Sequence, residues 1–509
     1  MTVGAAPADV CVLVEGTYPY VAGGVSSWLH ALITNLPDVS FAIVHLGSTP
    51  ARGRARKYTL PANVVEFRDI AIHDAAWAGS GSTAVRPSAL WDELREFHAQ
   101  GGCPAHGQAL APLFRRLASP GRDGLQARDL LYAPEAWELL TERYQKRAPH
   151  SSFADVFWTF RQTHLPLFAL LQAELPDACV YHSLSTGFGG FLGAIASLRT
   201  GRPLVLTEHG VYTREREIEI AQAEWIYNER REGYQLTQRH GFFKEWWIEM
   251  FRFMARLAYE TADSIISITR VNQRYQLQNG ADPARMVVVP NGINVARMEG
   301  LRPTVVPPRA GLRVGFVGRI VPIKDVKTLI RAVKLAAASI PGLLVQLIGP
   351  TDEDPDYFAE CRTLVETLGL GNIIEFTGQA DVRGYYATMD VMLLTSLSEG
   401  QPLVILEANC AGVPAIATDV GACRELLEGG APADVKLGPS GLLTPVSSPA
   451  ETATALIALY RDPALRQRMA GAGQERVRRF YREEPLYTYY GALYGRYCTQ
   501  DREAVAWPA

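Results

Sequence analysis

Two basic and two acidic side chains in the second half of the chain have the types and spacing to bind a sugar linked to a diphosphate. Arg319 and Lys324 lie five residues apart, and Glu399 and Glu407 lie eight apart. A guanidinium offers planar two-point contact with phosphate oxygens, and an ammonium adds a mobile point charge. These cations could therefore neutralise a departing diphosphate. The alternative is an ordinary surface salt bridge, to Asp325 or to another carboxylate.

The spacing of the two glutamates argues against a glycosidase pair. Glu399 follows a strand-like run, Pro402 suits a helix start, and Glu407 lies about one and a half turns into that helix. At a rise of ~1.5 Å per residue the two carboxylates stand roughly 8–12 Å apart, whereas a retaining glycosidase needs about 5–5.5 Å. We therefore expect them to hold two ends of one long ligand. Because Pro402 has no N–H, the backbone contacts to an anion should come from Leu403 and Val404.

The first half of the chain supplies a glycine loop and the histidines. Gly23 and Gly24 precede a predicted helix, where backbone can approach a phosphate or a sugar closely, although a plain turn is the alternative. All ten histidines precede residue 241, so an imidazole at the site must come from this half. His209 ends a strand-like run and is the candidate, with an ordinary loop histidine as the alternative. His182 ends another run in the same way.

The strands and helices that must position these residues follow a βαβ pattern, and this pattern occurs in each half of the chain. Buried strand-like runs alternate with helices in both halves, which predicts an α/β protein with two Rossmann-like doubly wound domains facing across a cleft. We assign residues 1–300 to an N-terminal acceptor domain with a helical insertion at about 73–168. A proline-rich stretch, 300–313, reads as a linker to a donor domain at 301–478. Residues 479–509 predict a helix that packs back on the N-terminal domain.

Composition excludes several classes of function. The 509 residues carry a net charge of −3, which gives no reason to expect a nucleic-acid partner or an electrostatic membrane anchor. Seven scattered cysteines without a C-x-x-C pair indicate a reducing, cytoplasmic compartment, and neither a signal peptide nor a run of about 18 apolar residues is present. Without a P-loop, an H-E-x-x-H or a Cys/His cluster, we expect no catalytic metal and no cofactor. The D-x-D of residues 352–354 reads as a solvated acidic loop.

One glycine-rich segment imitates a dinucleotide-binding loop. GFGGFLG, residues 187–193, follows a strand, and Glu208 comes about 20 residues later, as in a dehydrogenase fingerprint. The spacing is wrong because Leu192 stands where the third glycine belongs. That interpretation also leaves both basic residues and both glutamates of the second half unused.

The combination of motifs resembles retaining glycosyltransferase family 4 of the GT-B fold. The resemblance rests on R-x4-K, E-x7-E, the following AGVPAIATDVG segment and PNGIN at residues 290–294. It departs at Gln401-Pro402, where the family commonly has an aromatic-glycine pair. Gln401, Leu403 and Val404 are still expected beside the donor. The resemblance implies these further roles: ribose binding by Glu407, contact with the donor sugar by Glu399, diphosphate binding by Arg319 and Lys324, and contact with the transferred sugar or its acceptor by His209.

The first half adds a closer resemblance. EGTYPYVAGGVSSW and TEHGVYTRERE are similar to the branch of the family that serves Pel exopolysaccharide synthesis. This implies transfer of a hexose or N-acetylhexosamine from a UDP-sugar to a growing polysaccharide, in the cytoplasm or peripherally at the inner membrane through a membrane-embedded synthase or export complex. Two alternatives remain: a catalytically silent subunit that binds nucleotide-sugars, and a nucleotide-sugar epimerase of the same fold.

Overall fold

Both halves of the chain fold around a parallel β-sheet. A computed structural model of the protein describes residues 7–50, 53–74, 88–99, 110–119, 126–223, 226, 241–298, 301 and 311–499. Within these residues, the N-terminal sheet has seven strands in the order 3-2-1-4-5-6-7 and the C-terminal sheet has six in the order 10-9-8-11-12-13. The prediction of two Rossmann-like doubly wound domains is therefore confirmed. Most of the predicted linker, 300–313, lies outside the described residues.

The strands of the N-terminal sheet are mostly continuous apolar runs, because helices cover both faces of the sheet. They are β1 (Ala8–Glu15), β2 (Phe41–Gly47), β3 (Val64–Ala71), β4 (Ala178–Ser183), β5 (Leu204–Glu208), β6 (Ser264–Ser267) and β7 (Met286–Val288). The first two strands are almost wholly buried, whereas β3, at the sheet edge, is half-buried.

Eleven described helices accompany this sheet and the junction that follows it. They are α1 (Gly24–Thr34), α2 (Ser88–Ala99), α3 (Ala111–Leu117), α4 (Ala127–Tyr132), α5 (Pro134–Arg147), α6 (Phe153–Leu171), α7 (Phe188–Thr200), α8 (Tyr212–Gln222), α9 (Phe242–Thr261), α10 (Arg270–Gln278) and α11 (Val295–Met298). Helices α2 to α6 occupy the stretch between β3 and β4. Helices α2, α3, α5 and α6 share one apolar core with α7, α9 and one face of the sheet, and α4 packs against α5 and α6.

The C-terminal sheet repeats the same layering. Its strands are β8 (Arg313–Val317), β9 (Leu344–Ile348), β10 (Ile374–Gly378), β11 (Val391–Leu394), β12 (Ala415–Thr418) and β13 (Gly441–Thr444). The helices are α12 (Val326–Ala337), α13 (Pro355–Thr367), α14 (Val382–Tyr386), α15 (Leu403–Cys410), α16 (Cys423–Glu428), α17 (Pro432–Val435), α18 (Pro449–Arg461), α19 (Pro463–Phe480) and α20 (Glu484–Thr499).

The chain crosses between the domains twice, and the two crossings are hydrogen-bonded to each other. Ile293, on the outward crossing, donates its N–H to the carbonyl of Tyr481 (2.9 Å) and accepts from the N–H of Glu483 (3.2 Å) on the return crossing. After the return, α20 packs against β1 and β4 of the N-terminal domain. Leu486, Leu493 and several tyrosines of α20 are buried in that contact.

The last ten residues of the predicted 479–509 segment lie outside the described residues. In the part of the chain that the structure describes, the helices are too short or too polar to cross a membrane.

Candidate active site

The clearest polar pair of the C-terminal domain lies where its strand order reverses, between β8 and β11. Lys324 ends a short turn after β8, and Glu399 follows β11, so both stand at the carboxyl edge of the sheet where such folds bind ligands. The Lys324 Nζ lies 2.6 Å from Glu399 Oε1, and the hydroxyl of Ser396 donates to the same oxygen at 2.6 Å. Both side chains are more than four-fifths buried. Because the two side chains are shielded from water, the charge of either one would act strongly on a ligand that displaced its partner.

Arg319 stands near the same edge but pairs elsewhere. Its guanidinium forms an ion pair with Glu353 of the D-x-D segment, and both side chains are about half exposed. Asp354 caps α13 by accepting from the N–H of Tyr357 at 3.0 Å. This is the surface salt bridge that the sequence left open as the alternative for Arg319. Such exposed pairs contribute little to stability, so the guanidinium can exchange its partner at low cost.

Glu407 lies in the second turn of α15, and a buried tyrosine hydroxyl holds it. Tyr386 Oη donates to Glu407 Oε2 at 2.9 Å. Burial raises the pKa of Glu407, whereas the hydrogen bond from Tyr386 and the charge of Arg297 lower it. One carboxylate oxygen is thus held by Tyr386, and Glu407 borders the cleft.

The start of α15 differs by one residue from the expectation. Pro402 precedes the helix as its cap instead of lying in the first turn, and Leu403 is the first helical residue. A helix leaves its first N–H groups without acceptors inside the helix, so those of Leu403 and Val404 are the ones that can meet an anion. Leu403 borders the cleft.

Residues of both domains line one cleft with a cavity of about 650 Å³. The N-terminal domain contributes Gly24, the first residue of α1, together with Trp28 and His209. The C-terminal domain contributes Gln401 and Glu407 among others. Gly23, Arg319, Lys324, Glu399 and Val404 are not among the residues that border this cavity.

Three polar atoms around the cleft are shielded from water and have no hydrogen-bond partner among the described residues. They are Nε1 of Trp28, Nε2 of His209 and Oδ1 of Asn291. The ring of His209 stands edge-on to that of Trp28, 4.6 Å between centroids. Burial lowers the pKa of His209 to about 4, so the ring is neutral at physiological pH. Unpaired buried polar atoms are costly, and all three residues that carry them border the cleft.

Contacts across the cleft involve Gly400 and Gln401. A Cβ at position 400 would lie 2.5 Å from the carbonyl oxygen of His209, so only glycine lets the two loops meet. Gln401 accepts from the N–H of Asn291 (2.8 Å) and donates to its carbonyl (3.1 Å). The Gln401 amide thereby orients Asn291. Gln401 also borders the cleft, and its assignment to donor binding stays a prediction.

His182 does not face the cleft, contrary to the sequence interpretation. It is fully buried under α20, where its ring nitrogens bond to Tyr494 Oη (2.7 Å) and Thr207 Oγ1 (2.8 Å). Burial lowers the pKa of His182 to about 3. The histidine therefore joins α20 to the sheet.

The glycine-rich loop before α7 has no room for a dinucleotide, because protein groups occupy the positions that the phosphates would take. The carboxylate of Glu15 already accepts from the N–H of Gly189 at the helix start (3.4 Å). A Cβ at Gly187 or Gly190 would strike neighbouring atoms, so these glycines serve close packing. Glu208 is fully buried and bonded to Thr186, Tyr259 and Gln276, which excludes it as a ribose ligand.

Sequence reasoning missed Trp28, Asn291, Tyr386 and Arg297. The first two lie inside segments that the motif search had already singled out, and Arg297 follows PNGIN by three residues. Asn291 lies in a loop after a strand, and Trp28 and Arg297 lie in the first two turns of helices that follow strands, which is the signal that could have found these three residues. Tyr386 offers no such signal, because only the fold brings it beside Glu407.

Two family models match the chain. Residues 8–284, more than half of it, match the model described as domain of unknown function (DUF3492). The chain belongs to the DUF3492 family. Residues 311–462 of this DUF3492 protein match a second model, described as glycosyl transferases group 1. The C-terminal domain is therefore that of a glycosyltransferase enzyme.

Curated relatives resemble part of this DUF3492 protein. A D-inositol 3-phosphate glycosyltransferase of Kineococcus radiotolerans is 32% identical over 238 residues, which cover 43% of this chain and 54% of the relative. A phosphatidyl-myo-inositol mannosyltransferase of Mycobacterium leprae is 30% identical over 238 residues, 46% of this chain and 59% of the relative. The chain thus spans little more than half the length of the curated relatives it matches.

Solved glycosyltransferases share the fold over almost the whole chain. A sucrose-phosphate synthase from Thermosynechococcus elongatus superposes with a TM-score of 0.57 at 17% identity, covering 96% of this chain and all of that one. HepE from Anabaena, in complex with UDP and glucose, gives 0.54 at 16% identity, covering 96% and 99%. At these identities the likeness establishes the GT-B fold of the DUF3492 protein.

Proposed function

We propose that the protein transfers a hexose or N-acetylhexosamine from a UDP-sugar to a growing exopolysaccharide of the Pel type, with retention at the anomeric carbon. The observation that carries the proposal is the shared cleft. Glu407 borders it from one domain, and Trp28, His209 and Asn291, each with an unpaired buried polar atom, border it from the other domain and the junction. A cavity of about 650 Å³ has the size of a small-ligand site.

On this proposal the donor diphosphate takes over two cations that otherwise pair with carboxylates of the protein. Lys324 leaves Glu399, and Arg319 leaves Glu353. The N–H groups of Leu403 and Val404 add the positive end of the α15 dipole. Glu399 is then free to accept hydroxyl groups of the donor sugar, while Glu407 accepts those of the ribose.

The carboxylate partners support retention without a covalent enzyme intermediate. Glu399 keeps its hydrogen bond from Ser396 when Lys324 moves to the diphosphate, and Glu407 keeps the one from Tyr386, so each carboxylate already has one oxygen engaged. We infer that the bond between the anomeric carbon and the diphosphate oxygen breaks as the acceptor oxygen bonds to the same face. The departing diphosphate oxygen takes the acceptor proton, and Arg319 and Lys324 stabilise its charge.

Support for the donor and acceptor classes comes from the relatives. HepE has been solved with UDP and glucose, and the curated relatives are named for transfer to inositol compounds. The N-terminal motifs favour a polysaccharide acceptor here. We place the reaction in the cytoplasm, with a membrane-embedded synthase or export complex as the partner.

The test is hydrolysis and transfer across a panel of nucleotide-sugars. We expect release of UDP from a UDP-sugar, and a product that NMR shows to keep the donor's anomeric configuration. An inverted product would refute retention. Tight UDP binding without turnover would indicate a silent binding subunit, and release of an epimerised sugar would indicate an epimerase. Turnover only with another nucleotide would refute the UDP assignment.

A further inference from the structure

Two cysteines far apart in the sequence meet at the edge of the N-terminal sheet opposite the cleft. Cys179 is the second residue of β4, and Cys498 lies in the last turn of α20. Asp9, the second residue of β1, stands beside Cys179 on the neighbouring strand. The two sulfurs and a carboxylate oxygen of Asp9 lie within 4.8 Å of one another. No spacing pattern indicates this cluster, because its members come from the two ends and the middle of the chain.

The surroundings of Asp9 hold its carboxylate in place. Ser40 donates to Oδ2 through its N–H (2.8 Å) and through its hydroxyl (2.7 Å). Among the described residues Oδ1 accepts no hydrogen bond. Metal-ligating carboxylates are typically oriented in this way by hydrogen bonds to the oxygen that does not bind the metal.

A backbone carbonyl and several charged groups also lie near the sulfur of Cys498. It lies 3.7 Å from the backbone carbonyl oxygen of Asp9, which adds an oxygen to the cluster. Burial, with smaller contributions from Cys179 and Asp9, raises the pKa of Cys498 to about 12, and the charge of Arg202 only partly opposes this. The thiol therefore stays protonated at neutral pH unless a cation replaces its proton.

We propose that Asp9, Cys179 and Cys498 form a structural binding site for a thiophilic divalent cation, Zn²⁺. Two thiolates and one carboxylate supply three ligands of a tetrahedral site, and water or the Asp9 carbonyl supplies the fourth. Each thiol releases its proton to solvent as its sulfur bonds to the metal, and no electron is transferred. Thiolates favour Zn²⁺ over Mg²⁺ and Ca²⁺, which prefer oxygen ligands only.

The site would tie the end of α20 to β1 and β4. This helix is the segment that returns from the C-terminal domain, so the cation would stabilise the attachment of the two domains to each other. The site lies away from the sugar-binding cleft, and the inference does not depend on the proposed function.

The test is a titration of reduced, metal-free protein with Co²⁺, whose bonds to thiolates give intense near-ultraviolet absorption bands. We expect one equivalent to bind with such bands, and Zn²⁺ to displace it. Cys179→Ser and Cys498→Ser should abolish the bands, and Asp9→Asn should weaken binding at least tenfold. Cys361→Ser, which removes a buried thiol of the C-terminal domain, should leave them unchanged.

A second measurement guards against variants that fail to fold. In the native chain, Zn²⁺ should protect Cys179 and Cys498 from a thiol-alkylating reagent, and mass spectrometry of the peptides reads this out. Zn²⁺ in hundredfold excess over its Kd should also raise Tm by about 2–3 °C. Absence of thiolate bands in the native protein would overturn the proposal, as would equal alkylation of both cysteines with and without Zn²⁺.

Discussion

At the scale of single residues, the ion pair between Lys324 and Glu399 is the feature on which the proposed chemistry depends. The pair lies largely out of solvent at the point where the strand order reverses. Little water competes for its ammonium, so a diphosphate that displaces Glu399 would feel the charge strongly.

Replacing Lys324 by Ala should lower turnover by roughly 10²–10³, the scale for one preorganised charge contact. The measurement is release of UDP from the donor under saturating conditions. Lys327→Ala is the matched control, because Lys327 lies three residues away and pairs with Glu360 on the surface. Near-normal turnover of the Lys324 variant would remove Lys324 from the mechanism.

Trp28 makes a second prediction at this scale. Trp28→Phe keeps an aromatic ring but removes the unpaired Nε1–H beside the cleft. We expect affinity for the UDP-sugar to fall about 5–10-fold, the scale of one lost hydrogen bond, while affinity for UDP stays unchanged. Calorimetric titration with both ligands measures this. Trp91→Phe removes an equally unpaired Nε1–H far from the cleft, in α2, and should change neither affinity.

At the scale of elements, the short helix α14 supports α15. Tyr386 ends α14, and its hydroxyl fixes Glu407 on α15. Tyr386→Phe should raise the pKa of Glu407 further, because a hydrogen bond that favours the ionised form is lost. We expect donor affinity to be lower than in the native chain at acidic pH and to recover as the pH rises and Glu407 ionises. Tyr385→Phe, at the adjacent position, is the control, and equal pH profiles for the two variants would contradict the role.

The contact of α20 with β4 predicts how stability depends on pH. The pKa of His182 is about 3 in the folded protein, against 6.5 for an unperturbed histidine. The unfolded chain therefore binds the extra proton first, so the stability from this residue is present above pH 6.5 and is lost as the pH falls toward 3. At pH 5 the loss is about 2 kcal/mol.

The measurement is Tm at pH 7 and pH 5. His182→Gln keeps hydrogen-bonding groups beside Tyr494 and Thr207 but does not titrate, so its drop in Tm should be about 2 °C smaller than that of the native chain. His150→Gln, at an exposed position, should show the native drop. An unchanged drop in the His182 variant would contradict the assignment.

Elements were predictable where their apolar pattern was strong. The runs at β1, β2, β8 and β11 are continuous and buried. These unbroken apolar runs were enough to predict the strands. The strand β3 was missed because Glu66, Arg68 and Asp69 interrupt its apolar residues, as an edge strand allows. The four-residue β13 was missed as well, because so short a run carries no distinct period.

At the scale of the whole molecule, the domains meet through backbone at Gly400. Gly400→Ala would place a Cβ 2.5 Å from the carbonyl oxygen of His209, so the closed cleft should be disfavoured. We expect kcat to fall at least tenfold and small-angle scattering to show a larger radius of gyration. Gly384→Ala, where a Cβ meets no atom within 4 Å, is the matched control. A native radius of gyration in the Gly400 variant would show that the loops can separate without opening the domains.

The sequence by itself determined the two doubly wound domains and the positions of the charged residues, because buried strands and their loops leave a local record in apolar periodicity and motif spacing. It predicted that Arg319, Lys324, Glu399 and Glu407 stand at strand ends or helix starts. The tertiary structure alone decided which groups are paired. Lys324 with Glu399, Gln401 with Asn291, and Cys179 with Cys498 are contacts between segments from 75 to more than 300 residues apart. Such pairings depend on how sheets and crossings place strand ends in space, and local sequence does not record that placement.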